Sequence, residues 1–165
     1  MNKSISGVAR SLSAMSMIVG LMLFGASEGW AQQKASNVDG VKAASKGFYT
    51  ALAVLDDGAA MGKVWAHTDY VTFVGPRSKS ITVGWDALKK YWEENNKRFS
   101  QRNVSLGEQR IHVNGNLAWE MGVETGDVKL KDGTPVKTDY IVTRVYEKIG
   151  GRWLIVSHHV QPKPQ

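Results

Sequence analysis

The stretch that decides the fold runs from Thr138 to Val160 and reads TDYIVTRVYEKIGGRWLIVSHHV. Two runs rich in β-branched and aromatic residues flank a Gly-Gly pair, and this arrangement is typical of a β-hairpin with a two-residue turn. Pairing Ile149 with Arg152 across the turn predicts which alternate residues share one face of the sheet. That predicted face carries Tyr140, Val142, Arg144, Tyr146, Trp153, Ile155, Ser157 and His159.

The predicted face is aromatic and aliphatic except for Arg144, Ser157 and His159. A guanidinium and an imidazole among buried aromatic rings need polar partners, because burying them unpaired is costly. The base of a ligand pocket is one place where such partners are found. We therefore predict that Arg144 and His159 project into one hollow and bind a ligand there.

Two more hairpin signals precede this stretch, Asn114-Gly115 and Asp132-Gly133. Together with Gly150-Gly151 they divide the second half of the chain into a four-stranded antiparallel meander. The predicted strands cover about residues 102–113, 117–130, 134–148 and 152–160.

The register of the middle hairpin decides which residues join the face of Arg144. Pairing Lys131 with Thr134 predicts that Trp119, Met121, Val123 and Thr125 lie on that face. The same register places Glu120 and Glu124 on the opposite face, which argues against Glu120 as a direct partner of Arg144. A single β-bulge would reverse this assignment.

The first half of the chain predicts three helices and a short hairpin. Apolar residues within 41–55 recur at spacings of three and four, which is typical of an amphipathic helix. A shorter helix contains Trp65, and a third begins after Gly84. Between them, 70–74 and 81–83 are predicted to form a short hairpin.

The N-terminus has the features of a cleavable signal peptide over residues 1–31. Lys3 and Arg10 give it a basic start, an apolar run follows, and small residues occupy positions 29 and 31. An uncleaved membrane anchor is the alternative, but the apolar run is shorter than the ~20 residues that a spanning helix needs. We therefore expect a periplasmic or secreted protein with no membrane contact after cleavage.

Cleavage after Ala31 leaves 134 of the 165 residues, enough for one domain with a single core. We expect a flexible N-terminus at 32–39, the domain at 40–161 and a tail at 162–165. The chain has no cysteine, so disulfides and thiolate metal sites are excluded. The net charge of +6 is spread out, which does not favour nucleic-acid binding. Its nearest approach to a cluster fits a solvated helix face: Lys89, Lys90, Lys97, Arg98 and Arg102.

The order of these elements resembles the nuclear transport factor 2-like superfamily, in particular its SnoaL-like branch. The resemblance covers about residues 40–164 and is most specific at 143–146 (TRVY) and 151–159 (GRWLIVSHH), which are similar to the end of the calcium/calmodulin-dependent protein kinase II association domain. The stretch 73–76 (FVGP) and Gly84 also fit the pattern.

The resemblance implies an α+β cone. In it, a curved antiparallel sheet, made of a short hairpin plus a four-stranded meander, packs on three N-terminal helices. It also implies that Arg144 lies in the pocket and that a histidine occupies the position of His159. A second histidine of the pattern is replaced here by Ser157.

The same superfamily includes ketosteroid isomerase, limonene epoxide hydrolase, scytalone dehydratase and polyketide cyclases. An isomerase of this type would need a carboxylate base on the first hairpin, where this chain has Phe73-Val74-Gly75. Tyr49 could act as an oxyanion donor or be a packed surface tyrosine. Because one fold hosts many activities, the resemblance leaves the reaction open.

Candidate residues each carry an alternative. Arg144 is either an anchor for an anionic group or a structural arginine paired with a buried carboxylate. His159, the candidate for general acid or base, could instead be a satisfied core histidine. The aromatic candidates more often fill a core than line a site. The predicted ligand contacts are Arg144, His159, Tyr140, Trp92, Trp119, Tyr49 and Trp65.

No metal site or cofactor is predicted. His67 and Asp69 lack a third ligand in the sequence around them, and His158 and His159 point to opposite faces of a strand. No nucleophile elbow, phosphate-binding glycine loop or dinucleotide motif occurs.

Three functions remain open at this stage. The first is an exported domain that binds a small, partly apolar, anionic molecule. The second is an acid–base enzyme of the isomerase, dehydratase or cyclase type, with His159 as the proton-transferring group. The third is a scaffold that functions by assembly. In every case we expect a homodimer through the outer sheet face, because three helices can cover only one face.

Overall fold

The computed structural model describes the backbone of residues 16–164 and the side chains from residue 32 onward. The chain divides into two compact units, residues 1–36 and 37–165. The first unit is helical from Ser16, and the first fifteen residues of the predicted signal peptide lie outside the described residues.

Two α-helices are present in the described part of the chain: α1 (Ser16–Val54) and α2 (Trp85–Asn96). Helix α1 includes residues 32–39, where we expected a flexible segment, since the Ala, Gln and Lys residues there favour helix and no proline interrupts them. It ends where Leu55 adopts a positive φ of 57°. Gly40 lies against the Trp153 ring, whose Cδ1 would be 2.7 Å from an added Cβ.

The predicted second helix is wrong, because the segment forms only one 3₁₀ turn at Met61–Lys63. Two glycines at 58 and 62 disfavour a longer helix. Directly afterwards the backbone pairs with a strand, as Ile155 N donates to Val64 O at 2.9 Å and Ala66 N donates to Ile155 O at 3.0 Å. This pairing extends the chain around Trp65 and ends the helical geometry.

Six strands form one open sheet in the order β2-β1-β6-β5-β4-β3. Their bounds are β1 (Thr72–Val74), β2 (Thr82–Val83), β3 (Phe99–Asn114), β4 (Leu117–Leu130), β5 (Pro135–Ile149) and β6 (Arg152–Pro162). The short hairpin and the four-stranded meander are as predicted, but the sheet is mixed, since β1 runs parallel to β6. Hairpin signals in a sequence predict the relative direction of consecutive strands only. They therefore could not predict the relative direction of β1 and β6, which are far apart in the chain.

The predicted register of the β4–β5 hairpin is wrong by one residue. Leu130, not Lys131, pairs with Thr134, which leaves a three-residue loop with Gly133 at a φ of 85°. Asp132 supports the loop by accepting a hydrogen bond from Thr134 N at 2.9 Å. Three-residue hairpin loops commonly place a glycine in this left-handed conformation.

This shift exchanges the two faces of β4, because side chains alternate with a period of two. Glu120 now lies opposite Arg144, and both Glu120 and Glu124 are buried. Trp119 and Met121 instead lie on the outer face, where they are 45% and 46% exposed.

A second shift occurs in β6. Ile149 pairs with Arg152 and Tyr146 with Ile155, as predicted, but Val145 then pairs with Ser157. Val156 is therefore the extra residue of a β-bulge, and every residue beyond it changes face. Arg144 consequently lies opposite His158 instead of Ser157, and His159 is exposed on the other side of the strand.

The core lies between the inner face of the sheet and the two helices. Its largest fully buried apolar side chains are Trp65, Tyr146, Phe48, Met61, Leu88 and Ile155. Within the described residues, no helix combines the length and the apolar character that crossing a bilayer requires.

Candidate functional site

Arg144 is fully buried and lies at the centre of a polar cluster on the inner face of the sheet. Nη1 contacts Glu120 Oε2 and Nη2 contacts Glu124 Oε1, each at 2.8 Å. Nη1 also donates to Ser45 Oγ at 3.3 Å, and Nη2 donates to the hydroxyl of Tyr49. Burial alone would lower the pKa of Arg144. The surrounding tyrosines and carboxylates raise this pKa by more than burial lowers it, so the net shift is upward and the guanidinium stays charged.

An irregularity in the edge strand β3 supplies a further hydrogen-bond partner for Glu120. Between Gly107 and Arg110 the register of β3 shifts by one residue, and Glu108 has a positive φ of 50°. Gln109 thereby reaches Glu120 and donates to its Oε1 at 2.5 Å, while Oε2 also accepts from Tyr146 OH at 2.7 Å. All the polar atoms of this buried carboxylate are therefore engaged within the protein.

Glu124 differs from Glu120 in using only one oxygen. Its Oε1 accepts from Arg144 and from Tyr49 OH, the latter at 2.8 Å. Burial raises the pKa of Tyr49, so this hydroxyl keeps its proton and acts as a donor. Oε2 has no partner among the described residues, and the side chain lines a cavity.

His158 is the fifth side chain that Arg144 contacts. Its Nδ1 lies 3.0 Å from Arg144 Nε, which can only donate, so Nδ1 is the acceptor and the proton resides on Nε2. The ring stacks on Phe73 with centroids 5.3 Å apart and packs against Phe48 at 5.1 Å. Burial, with the adjacent charge of Arg144, holds the pKa of His158 well below its usual value, so the ring is neutral at pH 7.

The cavity next to this cluster has a volume of about 200 Å³. Its walls are mainly apolar and aromatic. The polar residues that line it come from α2, from the loop after β1 and from the strands of the sheet. The cavity is lined by residues that include Phe48, Phe73, Tyr91, Trp92, Tyr140, Arg77, Arg98, Arg102, Glu124 and His158.

Arg102 is a second buried arginine, 6% exposed, and it lines the cavity. Nη1 donates to Asn96 Oδ1 at 3.0 Å, and the guanidinium carbon lies 3.9 Å from the centre of the Phe99 ring. Among the described residues no carboxylate lies within ion-pair distance of it. Burial lowers the pKa of Arg102 to about 10, with Arg98 and Arg77 acting in the same direction.

The structure separates the two residues that we expected to share one hollow. Arg144 lies in the polar cluster and not on the cavity wall, and His159 is exposed on the outer side of β6. The prediction that they project together is therefore wrong, because the Val156 bulge turns His158 inward in place of His159.

The other predicted contacts are distributed over four places: the cavity wall, the Arg144 cluster, the core and the outer face of the sheet. Tyr140 and Trp92 line the cavity, and Tyr49 lies in the Arg144 cluster. Trp65 is a core residue, 1% exposed. Trp119 lies outside, stacked on His112 with centroids 4.1 Å apart, because of the one-residue shift in β4.

Three site residues were missed in the sequence: Glu124, His158 and Arg102. The Asp132-Gly133 pair is compatible with a three-residue loop, and that reading would have turned Glu124 inward. No local pattern marks the bulge that turns His158. Arg102 was grouped with the basic residues of a solvated helix, although it follows α2 and belongs to β3.

The described residues contain no group of three or more His, Cys, Asp or Glu side chains arranged to hold a metal ion. The polar side chains that line the cavity include the guanidinium of Arg102, the neutral imidazole of His158 and the carboxylate of Glu124.

Comparisons with solved structures place the fold. A protein from Streptomyces avermitilis, provisionally described as a dehydratase of the NTF2-like family, is 18% identical with a TM-score of 0.71, and the match covers 80% of this chain and 99% of that one. An NTF2-like superfamily protein from Salmonella enterica is 21% identical with a TM-score of 0.68, covering 82% and 94%. The association domain of C. elegans CaMKII is 17% identical with a TM-score of 0.59, covering 79% and 98%.

At these identities the structural matches establish the fold alone, and they confirm the resemblance to the NTF2-like superfamily and its association domains. No curated protein matches the chain in sequence. A family model described as a SnoaL-like domain matches residues 41–161. Since that match spans most of the chain, from the middle of α1 to the end of β6, the protein belongs to the SnoaL-like domain family.

Proposed function

We propose that this chain is an exported protein that binds a small, partly apolar, anionic molecule in the interior cavity, with Arg102 as its anchor. The observation that carries the proposal is a buried guanidinium on the cavity wall without a carboxylate partner in the described part of the chain. A buried charge is costly unless it is paired. A bound anion would supply the missing partner, and it would reverse the downward shift of the pKa of Arg102.

Arg144 cannot take this role, because its hydrogen-bonding capacity is used up. A guanidinium has five N–H donors. In Arg144 they are directed at His158, Ser45, Glu120, Tyr49 and Glu124. Arg102 is the better anchor, because it donates to one side-chain amide oxygen and otherwise faces an aromatic ring.

The rest of the cavity fits an anion with an apolar body. Arg77 and Arg98 line it together with Arg102, so three cations face the space and attract negative charge. Phe48, Phe73 and Trp92 supply aromatic wall area, which stabilises an apolar group by removing it from water.

Thermal unfolding of the full-length protein with a panel of small aromatic carboxylic acids tests the proposal. A ligand present at ~100 times its dissociation constant stabilises by ~2.7 kcal/mol. We expect this shift for wild type and for the control Arg110→Met, which removes an exposed arginine from the same strand. We expect none for Arg102→Met. Equal shifts in wild type and Arg102→Met would remove Arg102 as the anchor, and no shift with any acid would argue against the function.

Export is supported by the basic start, apolar run and small residues of the segment 1–31. Mass spectrometry of the protein recovered from a periplasmic fraction would locate the new N-terminus. We expect it at Gln32, whereas full-length protein in the membrane fraction would indicate an uncleaved anchor.

An assembly function is supported by the outer face of the sheet. Leu117, Trp119, Met121 and Ile149 are exposed there, and a second copy covering them would bury a contiguous apolar area. We propose a homodimer through this face. Light scattering should give a dimer for wild type and for the control Ile81→Asp, and a monomer for Trp119→Asp. A monomeric wild type would refute the dimer.

Acid–base catalysis is the second candidate function, now with Glu124 in place of His159. Its free Oε2 borders the cavity, and a carboxylate there could accept a proton from carbon next to a ligand carbonyl. Deuterium exchange into candidate keto acids, followed by NMR in D₂O, would detect such a step. Exchange by wild type that disappears in Glu124→Gln would support catalysis, and no exchange would leave binding alone.

A further inference from the structure

Two residues that line the cavity each have one polar side-chain atom without a partner among the described residues: Glu124 Oε2 and His158 Nε2. Glu124 makes both of its contacts through Oε1, and His158 makes its contact through Nδ1. Within the described residues, the buried side-chain atoms that lack a partner and are sealed from solvent are Trp65 Nε1, Thr68 Oγ1 and Trp92 Nε1. Glu124 Oε2 and His158 Nε2 are thus accessible, and both residues line the cavity.

Arg144 donates to both of these residues, so their two acceptor atoms lie within hydrogen-bond reach of one guanidinium. Nε donates to His158 at 3.0 Å and Nη2 donates to Glu124 at 2.8 Å. Because the ring also packs against Phe48 and Phe73, neither side chain is free to turn away.

The two free atoms have opposite hydrogen-bonding roles. Glu124 contacts the guanidinium of Arg144 through Oε1, and its Oε2 is an acceptor, whereas His158 Nε2 carries the proton of a neutral imidazole and donates. Both residues are more than nine-tenths buried. A ligand that left either atom unpaired would therefore incur a desolvation cost.

This pair lies at a distance from Arg102 along the sheet. Arg102 pairs with Val128 of β4, and Glu124 is four residues earlier in that strand. At ~3.4 Å per residue, the two positions are about 13 Å apart along the backbone. Arg102, Glu124 and His158 line the same cavity, and aromatic rings such as Phe48, Phe73 and Trp92 form part of its wall.

We propose that Glu124 and His158 are a specificity-determining pair that recognises a hydroxyl group, so that the ligand is a hydroxylated aromatic acid. The inference rests on the proposed function, because Arg102 must hold the acid at the other end. A hydroxyl is the neutral group that donates and accepts through one oxygen, and it satisfies both free atoms at once. The aromatic body follows from the aromatic rings in the cavity wall.

Calorimetric titration of the full-length protein with three matched acids tests the pair: 3-phenylpropionate, its 4-hydroxy derivative and its 4-fluoro derivative. The fluoro compound is close in size to the hydroxy compound but is a poor donor and acceptor. We expect the hydroxy acid to bind more tightly than the other two by about tenfold or more.

Variants assign that preference to residues. Glu124→Gln and His158→Phe should each reduce the preference severalfold, while the affinity for 3-phenylpropionate stays within about threefold of wild type. Tyr70→Phe is the matched control, since it removes an exposed tyrosine hydroxyl that donates to Glu147 Oε2 at 2.6 Å, and Tyr70 is not among the lining residues of the cavity. It should leave the preference unchanged.

The outcomes separate the inference from the function on which it rests. If all three acids bind wild type equally well, the hydroxyl pair is wrong and the anion site stands. If none binds, both fail. If Glu124→Gln and His158→Phe keep the preference, the hydroxyl is recognised by another group, such as Tyr140 of the same cavity wall, and the proposal is overturned.

Discussion

The molecule contains two buried arginines in contrasting surroundings. Arg144 directs five donors at protein acceptors, two of which are carboxylates, and lies in the middle of the sheet. Arg102 donates to one amide oxygen, lies over the Phe99 ring and borders the cavity. Burial alone therefore does not identify a ligand anchor. The charge of Arg144 is already neutralised by two carboxylates, whereas Arg102 has no carboxylate partner among the described residues.

The largest difference is expected when each arginine is removed in turn. Arg144→Met leaves Glu120 and Glu124 as uncompensated buried carboxylates, and breaking a buried ion pair in this way costs about 3–5 kcal/mol. Urea unfolding of the full-length protein measures the loss. A destabilisation below ~1 kcal/mol would mean that the carboxylates find other partners or take up protons, and Arg144 would no longer be the organising residue.

The contrast also shows how much of the site was accessible from sequence. The Gly150-Gly151 turn and the pairing of Tyr146 with Ile155 were predictable because the turn and both strands are adjacent in the chain. The burial of Arg144 followed from the same pattern. The partners of Arg144 could not be predicted in the same way. Each of them depends on the strand register, and because side chains alternate between faces, a register error of one residue moves a side chain to the opposite face of the sheet.

Two register shifts of one residue decided the site. The Asp132-Gly133 pair fits loops of two or three residues, and the three-residue loop turns Glu120 and Glu124 inward. The bulge at Val156 arises from long-range packing in β6 and has no local signature. Arg102 was missed for a related reason, since its burial depends on pairing with β4 and not on the helix that precedes it.

A pH titration of stability should isolate the His158 contact with Arg144. The pKa of His158 is depressed in the folded state, so below its unfolded value of ~6.5 the unfolded chain binds a proton that the folded chain does not. Stability is therefore fully present above ~6.5 and falls as the pH decreases, by up to about 1.4 kcal/mol per pH unit for this one group.

The measurement is urea unfolding between about pH 5 and 7.5 for wild type and His158→Phe. The difference between the two curves should have this slope, because the other titrating groups are common to both. Parallel curves would mean that His158 takes up its proton in the folded state, and Nδ1 could then no longer accept from Arg144.

A smaller effect is expected from the loop that gives Arg144 its carboxylates. Gly133 has a φ of 85°, so Gly133→Ala places a side chain in a conformation that L-residues avoid and should cost about 1 kcal/mol. Gly107→Ala is the control, since an added Cβ there meets only Val123 O at 3.9 Å. Thermal unfolding of both variants tests the loop. Equal unfolding temperatures for the two variants would mean that the β4–β5 register does not depend on a glycine at position 133.

The smallest effect on stability is expected from Arg102, although its removal should have the largest effect on binding. Arg102→Met relieves the cost of burying an unpaired charge, but it leaves Asn96 Oδ1 without its donor. These opposing contributions are each about 1–3 kcal/mol, so the unliganded protein should change by less than ~1 kcal/mol in urea unfolding. A loss as large as that of Arg144→Met would show that Arg102 is structural, and the contrast between the two arginines would disappear. A small change in stability for Arg102→Met, beside a large one for Arg144→Met, would support Arg102 as the ligand anchor. A residue that is retained for binding need not stabilise the protein without its ligand.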